Sequence, residues 1–171
     1  MLQYTVMKDD SRLYKTYGGR RSLRLRDFDY RTPYIYHVTW ATAGRRPVLA
    51  ACSLTVRLIG ILKEEATNTG VRLYAYCFMP DHVHLLLCPE AGSDLIRFVQ
   101  AYKSKATRVY WKQNGRGRIW QRGFYDHILR CEEDVREVSR YILENPVRKG
   151  LVKNLTDFPF SGSCVFEKQA L

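Results

Sequence analysis

The chain has 171 residues, 46% of them hydrophobic, and carries 28 Lys and Arg against 17 Asp and Glu for a formal net charge of +11. That length suits one globular domain with its own core plus short extensions, and the excess charge points to a polyanionic partner. No apolar run approaches the ~20 residues of a membrane-spanning helix, and five cysteines without a C-x-x-C pair argue against a disulfide framework or a zinc ribbon. The opening MLQYTVMKDD lacks the apolar centre of a signal peptide, so a cytoplasmic protein with no membrane partner is expected.

Residues 1–31 are polar and basic around Gly18-Gly19 and read as an irregular arm. YIYHVTWA, residues 34–41, is β-branched and aromatic and predicts a strand, followed by a Gly44-Arg45-Arg46-Pro47 turn. A helix is predicted over 53–68, capped by Ser53, with Leu54, Leu58, Ile61 and Leu62 on one face and Gly70 just past its end. Strands over 71–78 and 82–88 are joined by a short Met79-Pro80-Asp81 turn and predict a hairpin. A second helix is expected over 94–113, capped by Ser93 and ended by Asn114-Gly115. FYDHILR, 124–130, predicts a fourth strand, and a last helix over 132–144 stops before Pro146, with Glu132, Glu133 and Asp134 suiting its dipole. The order β-α-β-β-α-β plus one helix is an α+β, ferredoxin-like pattern: an antiparallel sheet with two helices on one face and an additional C-terminal helix. The predicted organisation is a basic arm over 1–31, one domain over 32–160 and a tail over 161–171.

His82 and His84 are two apart on a strand, so both imidazoles leave one face while Val83, Leu85 and Leu87 point toward the helices. Neighbouring imidazoles on an apolar strand resist protonation and each needs a partner; a shared metal ion meets both demands. The bare H-x-H pattern also fits polar placement unrelated to a metal. Tyr141 and Asn145 lie one turn apart on the last helix, at the edge of its Val135, Val138, Ile142 stripe. A lone tyrosine there reads first as a packing residue whose hydroxyl reaches water, with Asn145 ending the helix before Pro146. Asp126 and His127 alternate along the fourth strand and face opposite sides. His127 reads as a metal ligand, a partner that orients a ligand, an acid–base group or a hydrogen-bonded structural histidine, Asp126 as an orienting or acid–base group, and His37 as structural.

Residues 103–122, KSKATRVYWKQNGRGRIWQR, hold Lys103, Lys105, Arg108, Lys112, Arg116, Arg118 and Arg122 and no acid, interleaved with Tyr110, Trp111 and Trp120. Cations of this kind track phosphates and aromatic rings stack on unpaired bases; a solvated helix end with core aromatics is the alternative. Arg45 and Arg46 are further candidates for phosphate contact, and Trp120 for stacking.

Four segments together resemble the single-tyrosine HUH nucleases, in which U is a hydrophobic residue. Within them the chain is similar to the transposases associated with repetitive extragenic palindromes (REP). The segments are RLRDFDYRTPYIYHVTWATAGRRPVL (24–49), YCFMPDHVHLLL (76–87) with His82-Val83-His84 as the HUH, IWQRGFYDHILR (119–130) and YILENPVRKGLV (141–152). The resemblance spans roughly residues 24–160. It implies a ferredoxin-like core, Tyr141 as the nucleophile that cuts and rejoins single-stranded DNA, and His82 and His84 as ligands of Mg²⁺ or Mn²⁺. Asn145 stands where mobile-element relatives carry the glutamine that completes the metal site. It further implies hairpin DNA as substrate, and monomers and homodimers both occur among such proteins. Two rival readings remain at this stage: a zinc hydrolase using His82, His84 and His127 with activated water, and a DNA-binding module that does not cut.

Overall fold

The computed structural model describes residues 14–17, 20–25, 29–113, 115–129 and 134–168, the first two stretches by backbone alone. The expectations for residues 1–13 and 26–28, Gly18-Gly19, Asn114, Glu132 and Glu133 lie outside the described residues. The arm is not irregular throughout. Strands β1 (Tyr14–Tyr17) and β2 (Arg20–Leu25) pair antiparallel as a ribbon. A glycine pair between two short runs is a hairpin signal, which composition alone obscured.

The main sheet contains β3 (Tyr36–Ala41), β4 (Val71–Met79), β5 (His82–Pro89), β6 (Tyr125–Ile128) and β7 (Ser161–Gly162), in the order β6-β3-β5-β4-β7, every neighbour antiparallel. This is the ferredoxin-like order with one strand added at an edge. That added strand pairs Ser161 with Cys77 and Gly162 with Tyr76, so the sheet runs past the boundary expected at residue 160.

Helices α1 (Cys52–Asn68) and α2 (Leu95–Lys112) cover one face. Their caps differ from expectation. Ala51 precedes α1 without a side-chain cap, and Asp94, not Ser93, accepts from the Ile96 and Arg97 amides. A carboxylate at that point also suits the helix dipole. Under the two helices lie Tyr36, Val38, Trp40, Phe78, Val83, Leu85 and Leu87, all buried. Each such side chain stabilises the fold by about 1.5–3 kcal/mol.

Helix α3 (Val135–Leu143) starts at an Asp134 cap and packs on the opposite face, where Val135, Val138 and Ile142 meet Ala75, Cys77, Met79, Leu86 and Cys88. The short helix α4 (Asn145–Arg148) follows with Pro146 in its first turn, a position where the missing N–H costs nothing. Phe158 closes this second core. A bulge between Leu73 and Ala75 lets both faces of β4 stay apolar despite the shift of register. Among the described residues no helix is long and apolar enough to cross a membrane.

Candidate active site

The period of β5 sends His82 and His84 to the face that α3 covers, opposite Val83 and Leu85. The two rings stand nearly perpendicular, and His82 Nε2 lies 3.0 Å from His84 Nε2. The other nitrogen of each ring is engaged. His82 Nδ1 faces the Asp81 carboxylate. His84 Nδ1 faces Thr39 Oγ1 at 3.1 Å and His37 Nε2 at 3.2 Å, both on β3. A carboxylate at Nδ1 fixes the proton there and leaves the Nε2 lone pair of His82 directed at its neighbour. His84 does likewise when it donates from Nδ1.

Two ligands bound at about 2.1 Å in cis positions of an octahedral ion stand about 3.0 Å apart, whereas tetrahedral ligands stand about 3.4 Å apart. A separation of 3.0 Å is one that two ligands of a single divalent ion could span. Burial, with the neighbouring His82, His37 and Arg148, pushes the His84 pKa down to about 3. Its imidazole is neutral at physiological pH, as a metal ligand must be. Burial raises the Asp81 carboxyl, but His82 and Arg45 outweigh it and hold its pKa below the ordinary value.

Asp81 was missed from the sequence as a functional residue. It occupies the two-residue turn between β4 and β5, its carbonyl accepts from the Thr42 amide at 2.8 Å, and its second carboxylate oxygen pairs with Arg45 at 3.1 Å. Arg45 has a left-handed φ of 51°, uncommon for a residue with a side chain, in the turn that brings its guanidinium to Asp81. Arg46 reaches the carbonyls of Ala43 and Arg118 and ties this turn to the 115–121 loop.

Tyr141 lies on α3 beside buried Ile142 and is 53% exposed. Asn145 is buried; its Nδ2 donates to the carbonyls of Ile142 at 3.0 Å and Tyr141 at 3.3 Å. It thus satisfies the Ile142 carbonyl, four residues before Pro146, which has no N–H to offer it. With the NH₂ group engaged by the helix, Oδ1 is the acceptor atom of the side chain. Among the described residues no hydrogen bond joins Asn145 to either histidine. Arg148, also unrecognised in the sequence, lies over the Tyr141 ring at 3.8 Å from its centroid and donates to the Tyr141 carbonyl at 2.9 Å. Its charge reaches His84 and Cys77, so α4 connects the tyrosine to the histidine face.

Three expectations are corrected by position. Register pairs His127 with His37 and Asp126 with Val38. His127 therefore shares the histidine face, one strand beyond His37. Asp126 is fully buried on the helix-covered face, where it accepts from the Tyr30 hydroxyl at 2.9 Å, and it does not belong to the site. Trp120 is also core, edge-on to Trp40 and beside Tyr102, and offers no stacking surface. Trp111 is the exposed ring of that stretch, at 54%. Finally, Lys103 is held by the Gln121 and Gly123 carbonyls and Lys105 by buried Glu65. Arg108, Lys112, Arg116, Arg118 and Arg122 make no ion pair among the described residues.

No cluster of three His, Cys, Asp or Glu side chains able to hold a metal exists among the described residues. Among the described residues His82, His84 and His127 do not form such a cluster.

Comparison with known proteins follows the same lines. The profile of the family described as "Transposase IS200 like" matches residues 31–145. A Haemophilus influenzae protein is 35% identical over 110 residues, 58% of this chain, and the match spans 62% of that protein. The REP-associated tyrosine transposase of Escherichia coli strain K12 is 30% identical over 138 residues, covering 78% of this chain and 81% of the relative. The ISDra2 transposase TnpA of Deinococcus radiodurans is 30% identical over 115 residues, with 63% and 80% covered. In three dimensions the chain is similar to a REP-associated tyrosine transposase solved bound to a REP hairpin. The TM-score is 0.60 and the identity 24%, over 75% of this chain and 76% of that one, a likeness of fold.

Proposed function

Given that the chain belongs to the IS200-like transposase family, on its REP-associated tyrosine transposase branch, we propose that it cuts and rejoins single-stranded DNA beside a hairpin, with Tyr141 as nucleophile. The observation that carries this reading is the approach of His82 Nε2 and His84 Nε2 on the sheet face covered by α3, the helix that carries Tyr141. His82, His84 and the Oδ1 of Asn145 would hold Mg²⁺ or Mn²⁺, which when bound draws charge from the phosphate and steadies the transition state.

The chain's own residues do the rest. Asp81 and Thr39 orient the two imidazoles. The exposed Tyr141 phenol gives its proton to solvent, its Oη bonds to phosphorus and the P–O3′ bond breaks. The leaving oxygen takes a proton from solvent and becomes a 3′-hydroxyl, while the 5′-phosphate stays on Tyr141. Because one phosphodiester has replaced another, the reverse attack rejoins strands without an energy source. The catalytic unit runs from residue 32 to Gly162, and DNA is its partner, with the five unpaired cations of residues 108–122 contacting phosphates.

Replacing Tyr141 by Phe tests the reading. The variant keeps the ring and its Arg148 contact. It is expected to bind hairpin DNA within about threefold of the parent, and to lose cleavage, the covalent adduct and strand joining together. Cleavage at the parent rate by the pure variant would refute the assignment, and cleavage lost on His127→Ala instead would favour activated water.

A further inference from the structure

An exposed tyrosine at a helix edge has two free side-chain torsions, and a nucleophile needs one orientation. Among the described residues Tyr141 has no hydrogen bond to its hydroxyl, no aromatic partner and one cationic one. That partner is Arg148, whose guanidinium lies over the ring face 3.8 Å from the centroid. Three further contacts hold Arg148. Its main-chain N–H donates to the Glu144 carbonyl at 3.0 Å within α4, its Nη2 donates to the Tyr141 carbonyl at 2.9 Å, and its Nη1 stands 3.7 Å from Glu144 Oε2. The Nη2 and Nη1 contacts hold the guanidinium at two points, and a plane so held against an aromatic face fixes the ring while leaving its edge free. Lysine, a point charge on a flexible stem, cannot do this.

We propose that Arg148 is a positioning residue for the nucleophile: it clamps the Tyr141 ring so that the hydroxyl presents in line to the scissile phosphorus. The proposal rests on Tyr141 being the nucleophile. The device explains how a half-exposed side chain is kept ready without being buried. The short α4, from Asn145 through Pro146 to Arg148, is the turn that brings residue 148 back over residue 141.

Arg148→Ala and Arg148→Lys test the clamp against the full chain with Mn²⁺ and a hairpin oligonucleotide bearing a single-stranded flank. Three quantities are read: the DNA dissociation constant, the single-turnover rate of adduct formation at saturating DNA and metal, and the ¹⁹F spectrum of 3-fluorotyrosine placed at 141. Misplacing a reacting group by about 1 Å costs on the order of 100-fold in rate. The adduct rate is therefore expected to fall 10- to 100-fold in both variants, with the dissociation constant within threefold. The ¹⁹F resonance should narrow and move toward that of the free amino acid. Full rescue by lysine, or weaker DNA binding with an unchanged saturated rate, would make Arg148 a phosphate contact and overturn the proposal. An unchanged ¹⁹F signal in both variants would overturn it too, and this readout holds even where Tyr141→Phe still cuts and the nucleophile assignment itself has failed.

Discussion

Asp81→Asn changes one oxygen to nitrogen and tests how the histidine pair is tuned. In the parent, one carboxylate oxygen faces His82 Nδ1 and the other pairs with Arg45 at 3.1 Å. An amide cannot serve both. If its oxygen stays with His82, its NH₂ group points at a guanidinium that also only donates. If its oxygen goes to Arg45, its NH₂ donates to His82 Nδ1, the ring proton moves to Nε2, and the lone pair that should meet the metal is lost. Removing such an orienting partner costs about 10- to 100-fold in metal affinity, or about 1.4–2.8 kcal/mol. Arg45→Ala is the control. Its side chain is two-thirds exposed, and an exposed pair is worth about 0–1 kcal/mol, so its effect should stay under about fivefold. Mn²⁺ titration followed by electron paramagnetic resonance measures both, with thermal melting to show that each variant is folded. A folded Asp81→Asn protein that binds Mn²⁺ as tightly as the parent would refute the orienting role. An Arg45→Ala variant with the larger loss would place the effect in the turn instead.

Trp111→Ala should weaken binding of the single-stranded flank by about 1–3 kcal/mol, the worth of one stacked base, whereas Trp120→Phe should lower the melting temperature and leave affinity alone; filter binding and a melting curve separate the two. Charge removal at Arg116 and Arg118 should each reduce the slope of log affinity against log salt by about 0.7–0.9. Lys105→Met should instead act on stability, because it strands the buried Glu65 carboxylate. Asp126→Asn, which weakens the bond to Tyr30, should cost about 1–3 kcal/mol of unfolding free energy with metal binding intact, and a loss of metal binding at equal stability would return Asp126 to the site.

The histidine pair was legible because a strand has one periodicity, and a period of two needs no tertiary information to put His82 and His84 on one side. Tyr141 and Asn145 were legible as a one-turn pair for the same kind of reason. Periodicity failed where it does not apply. Trp120 lies in a loop after Gly115, so nothing in its neighbours told inside from outside, and its basic surroundings suggested a binding surface. Asp126 and His127 were correctly read as facing opposite sides, but which side holds the site depends on the β3–β6 register, a non-local fact. Arg148 was hidden by Pro146. Proline was read as the end of the helix, although in the first turn of a helix it is tolerated, and the short α4 that begins there restores helical spacing between residues 141 and 148.

The architecture carries one more consequence. If helices covered only one face, the other face of β3, β4 and β5 would stand in water, its imidazoles free to protonate and its apolar residues exposed. Placing α3 over Cys77, Met79, Leu86 and Cys88 buries those residues and lowers the dielectric around His84. That burial is the largest cause of its depressed pKa. The same helix carries Tyr141, so covering the sheet and supplying the proposed nucleophile are one structural act. A substitution that loosens α3 from the sheet, such as Ile142→Ala, would disturb both at once. Its expected cost of about 2–5 kcal/mol would come with weaker metal binding as well as slower adduct formation. Loss of adduct alone, with Mn²⁺ affinity unchanged, would mean that the histidine pair is organised by β3 and the Asp81 turn without help from α3.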